Sequence, residues 1–187
     1  METEVLLTGI GGQGVQLCAA VLARGATIEN KHVMLFGVYA GAMRGMNTDA
    51  TVVIGDGPLQ SPPLISHASA AVGMHDKFWE PVDRKLRAGS LLCVNDTTFE
   101  TPLDSDLHRV LRVPATEIAA DMGMPMAASM VMAGAFGALS ELVAVESLVE
   151  AMRDSIPSYR VQHIEGNELA IAAGHQWGCD SRAAATR

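Results

Sequence analysis

The stretch from residue 5 to residue 16, VLLTGIGGQGVQ, constrains this chain more than any other. An apolar run reads as a buried strand over residues 4–8, and it breaks into Gly9, Gly11, Gly12 and Gly14. Beyond the break, Val15, Ala19, Val21, Leu22 and Ala26 fall near helical spacing and predict a helix from Gln13 to about Glu29. Glycines in a strand-to-helix turn permit positive φ and close backbone approach, and the helix N-terminus aims N–H groups at whatever sits before it. Gly9, Gly11 and Gly14 thus satisfy GxGxxG, which suits a phosphate or carboxylate at the turn and suits simple close packing of helix on sheet as well.

A dinucleotide site requires one thing more, an acidic residue about 20 positions on, at the end of the second strand, to hold the ribose hydroxyls. That strand is predicted over 31–36 and runs out through Leu35, Phe36, Gly37 and Val38 with no carboxylate, while Glu29 precedes it. Arg44, the one cation that an NADP variant would have for its 2′-phosphate, follows several residues later in a loop. The nicotinamide reading therefore loses its second support.

Further strands are predicted over 48–56, 68–74, 90–96 and 108–113 from their β-branched and apolar runs. A helix is predicted over 76–89, started or kinked by Pro81 and stopped by Gly89, and a short one runs from Pro114 or Thr116 to Gly123. From Pro125 the pattern is helical throughout, in PMAASMVMAGAFGALSELV, in VESLVEAMRDSI closed by Pro157, and around GNELAIAAGHQW. This order predicts an α/β fold: a three-layer, Rossmann-like domain with a mostly parallel sheet and helices on both faces. The 187 residues, 49% hydrophobic, suffice for one domain over 1–175, and the small and polar end leaves 176–187 as a flexible tail.

Composition removes several classes of function. A formal net charge of −8, with the 13 Lys and Arg scattered, leaves no basic stripe for nucleic acid. No segment approaches the roughly 20 apolar residues that span a membrane, and the N-terminus opens directly on a strand, so a cytoplasmic protein is expected. Cys18, Cys93 and Cys179 have no CxxC spacing, which excludes a cluster-binding loop, and His67, His75, His108 and His163 have no metal-ligand spacing, so no metal site is expected. No GxSxG elbow is present. The mixed charges Asp76, Glu80, Asp83, Arg84, Lys85 and Arg87 read as a solvated face; Met124, Met126, Met130 and Met132 read as core, with a subunit interface as the competing reading.

Four elements taken together resemble the γ subunit, or γ domain, of the 2-oxoacid:acceptor (ferredoxin) oxidoreductases. GIGGQGVQLCAAVLARGA resembles the opening GxGGQG segment of that family. VYAGAMRGMNTDATVVIGDGPLQSPPL carries Tyr39, Arg44, Gly45 and the Ser61-Pro62 turn of its Y-G-x-x-x-R-G-G element and the strand beyond. SMVMAGA, with Met130, Gly134 and Ala135, is similar to its Met-rich helix, and EGNELAIAAG to its closing helix, so the match covers residues 4 to about 174. Ala40, Met46 and Ser129 depart from the family pattern, where glycine, glycine and asparagine are usual.

The resemblance implies a complex that oxidises pyruvate, 2-oxoglutarate, branched-chain (ketoisovalerate) or aryl 2-oxoacids, using thiamine diphosphate, Mg²⁺ and iron-sulfur clusters and passing the acyl group to coenzyme A. It assigns those cofactors to α and β partners and to an iron-sulfur (δ-type) subunit or domain, with none bound firmly by this chain. Gly55-Asp56-Gly57 begins like a thiamine-diphosphate signature, but the nearest asparagine of use, Asn95, stands about 40 residues on rather than about 30. For this chain the expectation is that Gly9, Gly11, Gly12, Gln13 and Gly14, with Arg44, position an anionic group of coenzyme A; the competing reading has the turn pack against the catalytic subunits. The reading of a different class is a stand-alone nucleotide-binding α/β protein that uses the same turn.

Overall fold

The computed structural model describes residues 1–39, 45–60 and 65–185; Arg44 and the Ser61-Pro62 turn lie outside them. Six strands form one sheet in the order β2-β3-β1-β4-β5-β6, from β1 (Glu2–Ile10), β2 (His32–Tyr39), β3 (Asn47–Gly55), β4 (Ala68–Gly73), β5 (Leu86–Asn95) and β6 (Arg109–Val113). The pairs β1–β4, β4–β5 and β5–β6 are parallel, while β3 runs antiparallel to both β1 and β2. The expected α/β class with a mostly parallel sheet stands in part: the sheet is mixed, with β3 the antiparallel strand. The reason lies in the connection: only residues 40–46 separate β2 from β3, too few for the dozen or so that a parallel crossover needs, so the chain folds back as a hairpin.

Alternation along the strands builds two cores of unequal thickness. Val5, Leu7, Val52, Ile54, Val72, Cys93 and Leu111 face one side, where they meet α1 (Val15–Ile28), α3 (Ala115–Asp121), α4 (Ala128–Ser140), α5 (Val145–Ser155) and α6 (Ile164–Ala185). Leu6, Val53, Ala71, Leu92 and Val94 face the other, covered by Trp79, the single-turn helix α2 (Glu80–Asp83) and Phe99, whose ring meets Trp79 edge-on at 4.9 Å. The five longer helices thus share one face, which corrects the expectation of helical layers on both. Helix α4 is buried over Ala128–Leu139 on all sides, sandwiched between sheet and α6.

Two further elements differ from expectation. The helix predicted over 76–89 reduces to the turns Asp76–Phe78 and Glu80–Asp83, because Leu86 is already paired with Ala68 in the sheet. Gly89, at φ 81°, sits in the irregularity between the pairs Ala68/Leu86 and Ala70/Leu91, where Ser90 Oγ donates to the carbonyls of Ala68 and Arg87. At the other end of the chain, residues 176–185 continue α6 instead of forming a tail. Trp177 Nε1 donates to the Arg112 carbonyl (3.1 Å), and Arg182 donates to the Ala138 carbonyl and pairs with Glu141 (2.7 Å each).

Candidate functional site

The glycine turn is held from three directions. Gly11 N–H donates to the Met46 carbonyl (2.7 Å) and the Gly11 carbonyl accepts from Gly45 N–H (3.1 Å), which ties the turn to the start of β3. Gln13 turns inward: its Oε1 accepts from Ile10 N–H (3.0 Å) and its Nε2 donates to the Met74 carbonyl (3.2 Å), so both ends of the amide are spent on bracing the turn. Gly12 at φ 107° and Gly14 at φ 79° adopt the left-handed region that side chains resist. Gly9 is packed against Met74, Gln13 and Val15, where a Cβ would stand 2.8–2.9 Å from their atoms. Beneath the turn, Asp49 accepts from Thr8 Oγ1 (2.7 Å) and Asn47 Nδ2 (2.8 Å), and Gln16 Nε2 donates to the Asp49 carbonyl (2.7 Å).

In front of the turn opens a cleft of about 1040 Å³. Gly11, Gly12 and Gly14 line it together with the first turn of α1; Gly9 and Gln13 lie behind it as supports. Its opposite wall is Gly123–Ala127 and Ser129, the entry to α4, and its outer rim is Ser155–Pro157, Arg160, His163 and Asn167. The first turns of α1 and α4 therefore face one space, and neither carries a side-chain cap or an acidic residue. The leading N–H groups of such helices have no intrahelical acceptor and present a partial positive charge. Among the described residues, Arg160 and His163 are the cationic or titratable ones on the lining, no Asp or Glu joins them, and Arg160 has no carboxylate partner. In a chain of net charge −8 this is a local inversion of sign, and it suits an anion.

Sequence reasoning reached the glycines and missed the rest of this cleft. Met124 and Met126 stood in the methionine stripe; here both line the cleft, Met126 being 72% exposed, whereas Met130 and Met132 are wholly buried core. Ser129 was visible only as a departure from the family's asparagine and Asn167 only inside the closing-helix match, while Arg160 and His163 had no pattern to mark them as cleft residues, since it takes the packing of α4 to α6 to bring all four to the turn.

The dinucleotide reading fails on topology as well as on sequence. In a Rossmann unit the strand after the first helix lies parallel and adjacent to the first; here β3 is inserted antiparallel between β1 and β2, so the ribose-binding position beside β1 does not exist. Thiamine diphosphate and its Mg²⁺ do not fit either. Gly55 pairs with Glu2 at the start of β1, whereas Asn95 ends the parallel strand β5, so Asp56 and Asn95 lie at opposite ends of the sheet. Asp56 is exposed and pairs with the N-terminal amine; Asn95 is buried, donating to Thr98 and Thr116 hydroxyls and accepting from Thr116 N–H. Iron-sulfur ligation meets the same obstacle: burial pushes the Cys18 thiol up to about 12, and burial together with the nearby Cys18 pushes Cys93 higher still. Among the described residues no group of three His, Cys, Asp or Glu side chains is placed to hold a metal, and no helix is long and apolar enough to cross a membrane.

A mixed sheet with a split opening βαβ unit, and an anion-suited cleft at its glycine turn, define the class of α/β protein. The family model for pyruvate ferredoxin/flavodoxin oxidoreductase matches residues 4–177, and the chain belongs to that family, in its γ-subunit type. It is 28% identical over 179 residues to the 2-oxoglutarate synthase subunit KorC of Methanocaldococcus jannaschii, covering 94% of each chain. Its fold is that of the γ subunit of a keto/oxoacid ferredoxin oxidoreductase from Geobacter sulfurreducens, with TM-score 0.80, 24% identity and coverage of 95% and 97%. It also superposes, at TM-score 0.83 and 16% identity, on 2-oxoglutarate:ferredoxin oxidoreductase from Magnetococcus marinus with 2-oxoglutarate, coenzyme A and succinyl-CoA bound, covering 95% of this chain and 31% of that one.

Proposed function

We propose that this chain is the γ subunit of a cytoplasmic 2-oxoacid:acceptor oxidoreductase that converts a 2-oxoacid to acyl-CoA and CO₂. In this reading it works with α and β subunits that hold thiamine diphosphate and Mg²⁺ and with an iron-sulfur, δ-type partner. Its own part is to help assemble the complex and to position coenzyme A, whose anionic end sits at Gly11, Gly12 and Gly14. Arg44, beyond the described residues, remains part of the proposed site. The chemistry of bond making belongs to the partners; this chain contributes fixed dipoles and charge, which position without reacting.

The observation that carries the reading is the cleft itself, where the first turns of α1 and α4 converge beside Arg160 and His163 with no carboxylate on the lining. Support for coenzyme A over another anion comes from family membership and from the co-substrate bound in the Magnetococcus relative of the same fold. Two measurements test it. Purification of the chain from its native cell should bring down a thiamine-binding pair and an iron-sulfur protein, and recovery of the chain alone with a bound nucleotide would overturn the assignment. In the purified complex, Arg160→Ala should raise KM for coenzyme A about tenfold while sparing 2-oxoacid-dependent dye reduction; an unchanged KM would remove coenzyme A from this cleft.

A further inference from the structure

Ser129 stands out among the helical serines. Ser140, Ser155 and Ser181 each donate to the carbonyl four residues back, the usual resource of a serine within a helix. Ser129, in the first turn of α4, makes no hydrogen bond among the described residues, although only 2% of it is exposed. Among the described residues the side-chain atoms shut off from solvent without a partner are Asn47 Oδ1, Trp79 Nε1 and His108 Nδ1, so the Ser129 hydroxyl is not an orphan of the core but opens on the cleft with its bonding capacity unspent. Ser129 lines the cleft, and its Oγ lies against Gly14, so close that a Cβ on that glycine would occupy the same space. Gly14 precedes the first turn of α1, so the free hydroxyl stands between the N-termini of two helices, α1 of 14 residues and α4 of 13.

We propose that Ser129 is a positioning residue for phosphate: its hydroxyl donates a hydrogen bond to a phosphate group of the ligand seated between the first turns of α1 and α4. The inference rests on the coenzyme A reading above and adds to it the group on this chain that fixes where the phosphate sits. Two helix N-termini favour an anion over a range of positions, whereas one hydroxyl at a set place selects among them. Gly14 is required on the same account, because any side chain there would displace the Ser129 Oγ. The apolar wall of Met124, Pro125 and Ile156 continues away from the phosphate position, and a cleft of about 1040 Å³ exceeds what a lone inorganic anion fills. The ligand class is therefore an elongated phosphoester with a less polar body.

Equilibrium titration of coenzyme A into the assembled complex, without 2-oxoacid, reads the contact free of chemistry. Ser129→Ala should raise Kd about tenfold and weaken competition by inorganic pyrophosphate by a similar factor. Ser129→Cys keeps nearly the same volume with a weak donor and should show the same loss; wild-type affinity in that variant would make shape, not the hydrogen bond, responsible and overturn the proposal. Titration with 3′-dephospho-coenzyme A locates the contact: a persisting factor places it on the pyrophosphate, a vanished factor on the 3′-phosphate, and both support the proposal. If Ser129→Ala binds normally while Arg160→Ala does not, the role of Ser129 is refuted and the coenzyme A reading survives. Should neither variant lose affinity, both fall together.

Discussion

At the scale of single residues, the glycines divide into those that hold the fold and those that do not. Gly134 and Gly174 lie where α4 and α6 cross, and a Cβ on either would strike backbone, the Ile171 carbonyl in one case and that of Val131 in the other. Backbone cannot swing aside, so Gly134→Ala or Gly174→Ala should push the helices apart at a cost of roughly 2–3 kcal/mol. Gly57 has open space around its missing Cβ and no positive φ, so Gly57→Ala should change stability by less than about 0.5 kcal/mol. Urea unfolding of the three variants checks the contrast. Cysteine reactivity separates in the same way: Cys18 and Cys93 are buried thiols with raised pKa, and Cys179 is half-buried on α6. Thiol labelling of the native chain should therefore modify Cys179 alone, with the other two appearing only in denaturant.

At the scale of elements, the end of α6 carries the clearest prediction. Truncation after His175 deletes the Trp177 bond to Arg112, the Arg182 bonds to Ala138 and Glu141, and the close approach of Gly178 to Ala135 and Ala138. Differential scanning of the truncated chain should show a melting temperature lower by roughly 5 °C, as about 2 kcal/mol does in a protein of this size; an unchanged value would mean that these residues are a tail after all. The apolar periodicity that revealed α1 and α5 is missing from this segment, which is why it read as unstructured. Small residues at Ala170, Gly174 and Gly178, spaced by four, were the available signal, since they mark a helix face built for close contact rather than for burial of large side chains. The helix expected over 76–89 failed for a related reason: Gly89 serves a sheet irregularity, and its positive φ is as useful there as at a helix end.

For the whole molecule, strand order and the far wall of the cleft were beyond sequence periodicity, which reports neither strand direction nor which loops meet. The short link 40–46 did encode the hairpin, through loop length rather than pattern. On each face of the resulting sheet, one carboxylate held below its ordinary range braces a connection. Burial pushes the Glu29 carboxyl up, but the Ala144 amide, Ser147 and Lys31 outweigh it and hold Glu29 below its ordinary range, anchoring the end of α1 to the link between α4 and α5. On the other face, burial likewise pushes Asp76 up, and the amides of Glu100 and Thr101, the Thr101 hydroxyl and the charge of His75 hold it lower, fixing the loop after β5. A carboxylate depressed in the folded state binds its proton more readily when unfolded, at about pH 3.9–4.3. Its contribution is therefore complete above about pH 5 and is lost as pH falls through the unfolded value towards the folded one. The two groups share no partner, so their effects should add. Glu29→Gln combined with Asp76→Asn should be less stable than wild type at pH 7, yet lose less between pH 5 and 3, so that urea midpoints for the two proteins converge on acidification. Parallel midpoints over that range would show that other carboxylates set the acid limit of this fold.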